Sequence, residues 1–276
     1  DELGLNEFKK EFQISFELNH TNLLHANYLG VNTEDNRPYL VMPFCPDGSV
    51  SKYIGRMSEA DLWRFIRDVA SGLAYLHSKN PPIIHQDIKP ANILQDDMGN
   101  YVIIDFGIST LARDTLVKST LRGYTNAGTL AYMAPERFSK DPTPIFASDI
   151  WSLGAMLFEL LEGKTPCPAN VGGGMQQAGA EVPDITANIS NELKRVISKT
   201  LSINTWDRPT ASTLVEWAKN PSAIEKPSRP TQRKITKPAE QPQEPDPPPL
   251  PPLKYIVSIF IFILLFFGVA FIGAKY

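Results

Sequence analysis

The sequence predicts an α+β fold that is mostly helical, begins with a few strands and is followed by a single transmembrane helix. Within residues 1–220 the hydrophobic period changes several times, and short strand-like runs precede longer helix-like ones. Eleven prolines follow between 221 and 253. The run Tyr255–Ala274 is apolar and contains no charged residue. The predicted domains are a folded domain (1–220), a proline-rich linker (221–253) and a membrane helix (254–276).

Composition argues against two kinds of partner. The formal net charge is −3, with 27 basic and 30 acidic residues mixed along the chain, so we expect no binding of nucleic acid. Cys45 and Cys167 are far apart in sequence and match no zinc spacing. We therefore also expect no structural metal, and a reducing compartment.

The first predicted elements are a ragged helix and two strands. Residues 7–18 carry apolar side chains at irregular helical spacing. The runs LLHANYLGV (23–31) and PYLVMPF (38–44) are separated by the turn-forming NTEDNR. These two runs predict a pair of strands.

Four helices follow. The segment SEADLWRFIRDVASGLAYLH (58–77) places its apolar residues on one face, and Ser58 suits the N-cap. The segment SDIWSLGAMLFELLEG (148–163) is apolar nearly all round, so we expect a buried helix that ends at Gly163. NELKRVISKTL and TASTLVEWAKN predict two amphipathic helices.

A polar stretch lies between the first two helices. In IIHQDIKPANILQDDMGNYVIIDFG (83–107), apolar residues on either side of QDDMGN predict a hairpin. Phosphoryl transfer requires that triphosphate charge be neutralised and the acceptor hydroxyl oriented. Asp87 is suited to orient the hydroxyl, and Lys89 to contact the transferred group. Asn92 and Asp105, which the hairpin brings together, offer hard oxygen ligands for Mg²⁺.

Five motifs, in order and spacing, resemble those of protein kinases. They are HQDIKPANIL (85–94), DFG (105–107), GTLAYMAPE (128–136), SDIWSLG (148–154) and WDRPT (206–210). The resemblance covers residues 1 to about 218 and implies a kinase fold with a helical C-lobe and an incomplete N-lobe. It implies transfer of the ATP γ-phosphate to Ser or Thr hydroxyls of protein substrates. Lys89 and Thr129 resemble the serine/threonine branch.

The resemblance also implies roles for individual residues. Asp87 would be the catalytic base, and Asn92 and Asp105 the Mg²⁺ ligands. Glu136 would form an ion pair with Arg208. In addition, Asp149 would brace the catalytic loop through its backbone, and His85 would be a packing residue.

The implied ATP-binding residues come mainly from the segment after the second strand. Met42 falls at the gatekeeper position, and Pro43 and Cys45 would offer a carbonyl and an amide N–H to adenine. Leu94 would lie under the base. Glu11 is placed where the family has the glutamate that pairs with the ATP-anchoring lysine, and the alternative is an exposed helix-surface acid.

Two departures from the family pattern affect the expected activity. No glycine-rich loop or strand lysine occurs in the sequence, so we expect an N-terminally truncated fragment that binds ATP poorly. Gln86 replaces an arginine that in many kinases holds a phosphate on the activation loop, and an amide cannot form that charge-assisted fork. We therefore expect that activity depends little on phosphorylation of Thr115, Ser119, Thr120 or Thr125.

The C-terminal part predicts attachment to a membrane. A helix over Tyr255–Ala274 spans roughly 30 Å, the thickness of the hydrocarbon core. More basic residues lie on the N-terminal side of the helix than beyond its C-terminal end. This asymmetry predicts a single-pass membrane protein with the kinase domain in the cytoplasm. The arrangement resembles bacterial membrane kinases of the inner membrane, and the helix is a candidate element for homodimerisation.

Two other functions compete with catalysis. The first is a pseudokinase, a membrane-tethered scaffold that binds partners without chemistry. Retention of Asp87, Lys89, Asn92 and Asp105 argues against it, since a scaffold does not need all four. The second is a membrane adaptor acting through the proline-rich linker, by binding an SH3-like domain.

Overall fold

The computed structural model describes residues 16–32, 37–105, 130–140, 142–168 and 170–224, all within the first unit of the chain, Asp1–Lys226. Across these ranges, no helix is both long enough and apolar enough to cross a bilayer. The predicted membrane helix lies outside them.

The first two strands form an antiparallel hairpin. Strand β1 (Tyr28–Val31) pairs with β2 (Pro38–Val41), with Tyr28 opposite Val41. Both strands are shorter than the sequence predicts. At the start of the first predicted run, the chain pairs with a different segment. The amide of Leu24 donates to the carbonyl of Ile103 at 2.9 Å, far along the chain.

A second hairpin confirms the one predicted around QDDMGN. Strand β3 (Ile93–Gln95) pairs antiparallel with β4 (Tyr101–Ile103), with Leu94 opposite Val102. Asp96 closes the turn, because its Oδ1 accepts the amide of Asn100 at 2.7 Å. Since side chains alternate along a strand, Ile93 and Leu94 enter different apolar clusters.

Helix α1 (Glu59–His77) follows the first hairpin and confirms the predicted N-cap. The Ser58 hydroxyl accepts the amide of Asp61 at 3.2 Å. The face repeating at Leu62, Phe65 and Leu73 is wholly buried. Periodicity alone does not explain Asp68, which is buried because its Oδ2 accepts the amide of Tyr101 at 3.2 Å.

Helix α2 (Phe146–Glu162) occupies the centre of the domain. Residues 148–158 are all buried, which confirms the prediction from its uniformly apolar sequence. The helix ends at Gly163, whose φ of 75° is the left-handed conformation that glycine adopts without a Cβ clash. Its side chains are bonded to several segments: Trp151 to Gln176, Ser152 to Tyr132, and Glu162 to Thr186 and Ala187.

The remaining helices surround α2 and α1. Within the described ranges, these further α-helices are α3 (Gly174–Gln177), α4 (Asn191–Thr200) and α5 (Ala211–Lys219). Ser190 and Thr210 cap α4 and α5 through their hydroxyls, as their residue types favour. Helix α5 packs on α1 and α4 packs on α2, so one core joins the four longer helices. A separate small cluster of Leu24, Cys45 and Val102 lies beside it.

Candidate active site

The loop before β3 is held by one buried carboxylate. The Asp149 side chain has no solvent exposure, and its two oxygens accept the backbone amides of Gln86 at 2.8 Å and His85 at 2.9 Å. Gln86 has a φ of 66°, a left-handed conformation that costs about 1–3 kcal/mol in a residue with a Cβ. The two hydrogen bonds that Asp149 accepts offset this strain. The geometry confirms the predicted brace.

Asp87 lies at the end of this braced turn. Its Oδ2 accepts hydrogen bonds from Lys89 Nζ and from Asn92 Nδ2, each at 2.9 Å. Asn92 Nδ2 also donates to the Asp87 carbonyl at 2.9 Å, so the amide is hydrogen-bonded to both the side chain and the backbone of Asp87. The structure therefore brings three of the predicted site residues into direct contact.

Asp105 lies next to this group because of the second hairpin. The amide of Ile104, the preceding residue, donates to the Asn92 carbonyl at 3.0 Å. Asp105 is exposed and has a φ of 59°, a second strained residue at the site. Asn92 and Asp105 are thus neighbours, as the sequence predicts, although thirteen positions separate them.

His85 is a structural residue and not a solvent-facing acid. Its side chain is fully buried, and its Nε2 donates to the carbonyl of Ile104 at 3.0 Å. Its Nδ1 accepts the amide of Asp87 at 3.2 Å. The imidazole therefore links the Asp87 loop to the strand that leads to Asp105, which confirms the predicted packing role.

The residues predicted to bind adenine lie between β2 and α1. Leu94 is half-buried and packs on the small apolar cluster that contains Cys45. Met42, Pro43 and Phe44 are exposed, and Phe44 is 86% exposed. Burial raises the pKa of the Cys45 thiol, and nearby Asp96 and Asp97 raise it further, which favours the neutral thiol over the thiolate. The contacts of these residues with adenine remain predictions.

Glu136 and Arg208 form the predicted ion pair. Arg208 Nη1 and Nη2 donate to the two carboxylate oxygens of Glu136, both at 2.8 Å, and Ser148 Oγ donates to the same carboxylate at 2.7 Å. Burial opposes ionisation of Glu136, but the hydrogen bonds and charge of Arg208 outweigh it and lower the pKa of Glu136. The pair fixes the loop before α2 to the segment before α5.

Sequence reasoning missed two contacts near the site. The hydroxyl of Tyr132 donates to Glu159 on α2, and His77 Nε2 lies 2.9 Å from Asp149 Oδ2. Both link residues far apart in sequence, so periodicity carries no signal for them. The sequence offers one indication of the second contact: His77 ends an amphipathic helix a few residues before the loop that carries Asp87.

The donor set of the site fits a divalent cation that also binds phosphate. Asn92 donates two side-chain hydrogen bonds through Nδ2 to Asp87, so its amide oxygen and the Asp105 carboxylate are the atoms that would bind such an ion. Mg²⁺ in nucleotide sites takes one or two protein oxygens and completes its shell with phosphate and water. In the part of the chain that the structure describes, no three His, Cys, Asp or Glu residues form a metal-binding group.

Other predicted residues lie outside the described ranges. They are Glu11, Thr115, Ser119, Thr120, Thr125, Thr129 and the Phe and Gly of the DFG motif.

Comparison with known proteins identifies the family. The sequence model described as the protein kinase domain matches residues 1–218, which include every element described above except Lys219, the last residue of α5.

Individual relatives are kinases of several eukaryotes. The chain is 33% identical over 223 residues to mitogen-activated protein kinase kinase kinase 5 of Arabidopsis thaliana, covering 77% of this chain and 30% of the relative. It is 32% identical over 217 residues to serine/threonine-protein kinase STE11 of Saccharomyces cerevisiae, covering 77% and 29%. It is 33% identical over 226 residues to serine/threonine-protein kinase PLK4 of Nematostella vectensis, covering 78% and 22%. The chain thus spans less than a third of these relatives. Its resemblance to bacterial membrane kinases stays a prediction.

Proposed function

Because the chain belongs to the protein kinase family, we propose that it transfers the γ-phosphate of ATP to serine or threonine hydroxyls of protein substrates. The observation that carries this proposal is the contact of Asp87 with Lys89 and Asn92, beside Asp105. The names of the relatives support the serine/threonine class.

Each residue of the group has a separate task in this reaction. Asp87 accepts a hydrogen bond from the substrate hydroxyl and orients its oxygen toward the γ-phosphate. Lys89, whose side chain is 22% exposed, neutralises charge that develops on the transferred group. Asn92 fixes the Asp87 carboxylate, so that the base does not need to reorganise during the reaction.

Asn92 and Asp105 are the residues that would hold Mg²⁺. Bound there, the ion would neutralise phosphate oxygens and orient the triphosphate. The exposed carboxylate of Asp105 supplies the negative charge of the ligand pair, and the neutral amide of Asn92 supplies a second oxygen without repelling Asp87.

The test is an assay of phosphate transfer from radiolabelled ATP to a generic Ser/Thr protein substrate. It compares the chain, and the full product of its gene where that is longer, with Asp87→Asn and Asp105→Asn variants. Asp97→Asn is the matched control, because Asp97 is an exposed acid in the turn of the same hairpin. We expect Mg²⁺-dependent transfer that both site variants abolish and the control retains.

Two results would contradict the proposal. Transfer that survives Asp105→Asn would show that another site is responsible. Binding of ATP without transfer in the full gene product would identify the chain as a pseudokinase scaffold.

We further propose that residues 255–274 tether this domain to a membrane, with the kinase domain on the cytoplasmic side. Twenty consecutive uncharged, mostly apolar residues support this. The protein should stay in the membrane fraction after alkaline carbonate extraction, and a chain ending at residue 253 should not. Equal extraction of both would refute the tether.

A further inference from the structure

The buried carboxylate that braces the catalytic loop has a third partner. His77, the last residue of α1, points Nε2 at Asp149 Oδ2 at a distance of 2.9 Å, and the amide of His85 shares the same oxygen. The His77 side chain is 11% exposed. Its ring stacks on Phe146, with ring centroids 4.6 Å apart and an angle of 26° between the planes.

The chemistry of the contact assigns the donor. An ionised carboxylate only accepts hydrogen bonds, so Nε2 of His77 must carry the proton. Asp149 has no exposed surface, and a buried charge is stable only when hydrogen-bond donors surround it. Two of its donors belong to the loop that it braces, and His77 is the donor from outside that loop.

We propose that His77 is a positioning residue for phosphoryl transfer and acts through Asp149. Its N–H holds the carboxylate at the position from which it can accept both loop amides. Without it, Asp149 turns toward the remaining donors. The hydrogen bonds that offset the strained backbone at Gln86 are then weakened. Asp87 follows Gln86 directly, so this change displaces the carboxylate that orients the substrate hydroxyl.

Three substitutions at His77 separate the hydrogen bond from the packing. His77→Phe keeps an aromatic ring on Phe146 but removes the donor. His77→Gln removes the ring but places an amide N–H where Nε2 lies. His77→Asn differs from Gln by one methylene, and its shorter amide falls short of Asp149.

The kinetic test, which rests on the proposed function, compares these variants in the full chain. We expect kcat to fall about tenfold or more in the Phe and Asn variants, since a hydrogen bond to a charged group is worth about that factor. KM for ATP should not change, because His77 contacts none of the residues predicted to bind the nucleotide. The Gln variant should recover most of kcat.

A second readout does not require activity. Hydrogen exchange at the amides of His85 and Gln86 should speed up in the Phe and Asn variants and stay near the wild-type rate in the Gln variant. If all three variants lose thermal stability equally while exchange at these amides and kcat stay unchanged, His77 is only a packing residue and the proposal fails. Faster exchange in a chain without kinase activity would uphold the positioning role and refute the proposed function alone.

Discussion

Arg208 donates two parallel hydrogen bonds of 2.8 Å to Glu136, which lies 72 positions earlier in the chain. The guanidinium has no solvent exposure and also donates to the carbonyls of Ala147, Ser202 and Ile203. Its removal would take away five hydrogen bonds, two to the partly buried Glu136 carboxylate and three to backbone carbonyls. The pair is therefore a strong determinant of the stability of the domain.

Glu136→Gln should lower the free energy of unfolding by on the order of 3 kcal/mol, because it leaves the buried guanidinium without a counter-charge. The pKa of Glu136 is lower in the folded chain than its ordinary value of 4.5, so its stabilising contribution is present above that pH and is lost as the pH falls through the folded value. The measurement is urea unfolding at pH 7 and at pH 3. Between these two pH values, the variant should lose less free energy of unfolding than the wild type. Equal losses would contradict this.

Glu159→Gln is the matched comparison, because it should not lower the free energy of unfolding at pH 7. Burial raises the pKa of Glu159, against the effect of the hydrogen bond from Tyr132, so its ionised form opposes folding as the pH rises through the folded value. A glutamine keeps an oxygen for the Tyr132 hydroxyl and removes the charge. We expect an unchanged or higher urea midpoint at pH 7, and a clear decrease would show that the charge is needed.

Gly154→Ala should destabilise the domain by about 1–3 kcal/mol, although alanine favours a helix by about 1 kcal/mol over glycine. A Cβ at this position would lie 2.4 Å from Thr200 Oγ1 and 2.9 Å from Thr200 Cβ. The double variant with Thr200→Ala should be more stable than the sum of the single effects predicts. A double-mutant cycle by thermal unfolding measures this coupling, and simple additivity would mean that the helices do not touch here.

Asn92→Ala should reduce phosphate transfer about 10- to 100-fold and raise the Mg²⁺ concentration at half-maximal rate. It removes one of the two proposed oxygen ligands and both hydrogen bonds from the Asn92 amide to Asp87. Asn100→Ala, at an amide in the turn of the same hairpin, is the control and should leave the Mg²⁺ dependence unchanged. An unaltered Mg²⁺ requirement in the Asn92 variant would argue that its amide does not bind the ion.

Local patterns predicted the helices and the second hairpin because these depend on neighbours in sequence. Ser58 caps α1 as expected, and Gly163 ends α2. The resemblance to kinases also predicted that Asp149, on α2, contacts the backbone of the loop that carries Asp87, which spacing alone could not do. Boundaries were less certain where chain segments pair at long range, as at Leu24, which bonds to β4 instead of extending β1.

The rest of the site depends on contacts that no local pattern encodes. His77 and Tyr132 differ little from ordinary helix-end and loop residues in sequence, and their partners on α2 lie 72 and 27 positions away. Asp68 looks like a surface acid in the helical pattern and is buried because it accepts a strand amide. Such roles follow from tertiary structure, where a buried polar group must find a partner.

Helix α2 is surrounded by protein, and its side chains are bonded to at least five other segments of the chain. Insertion or deletion of one residue within it would rotate every later side chain by about 100° about the helix axis. Asp149 could then brace the loop only if Glu159 and Glu162 lost their own partners. The contacts at the two ends of this helix therefore fix its length together. A change in chain length is tolerable only in the turns on either side of it.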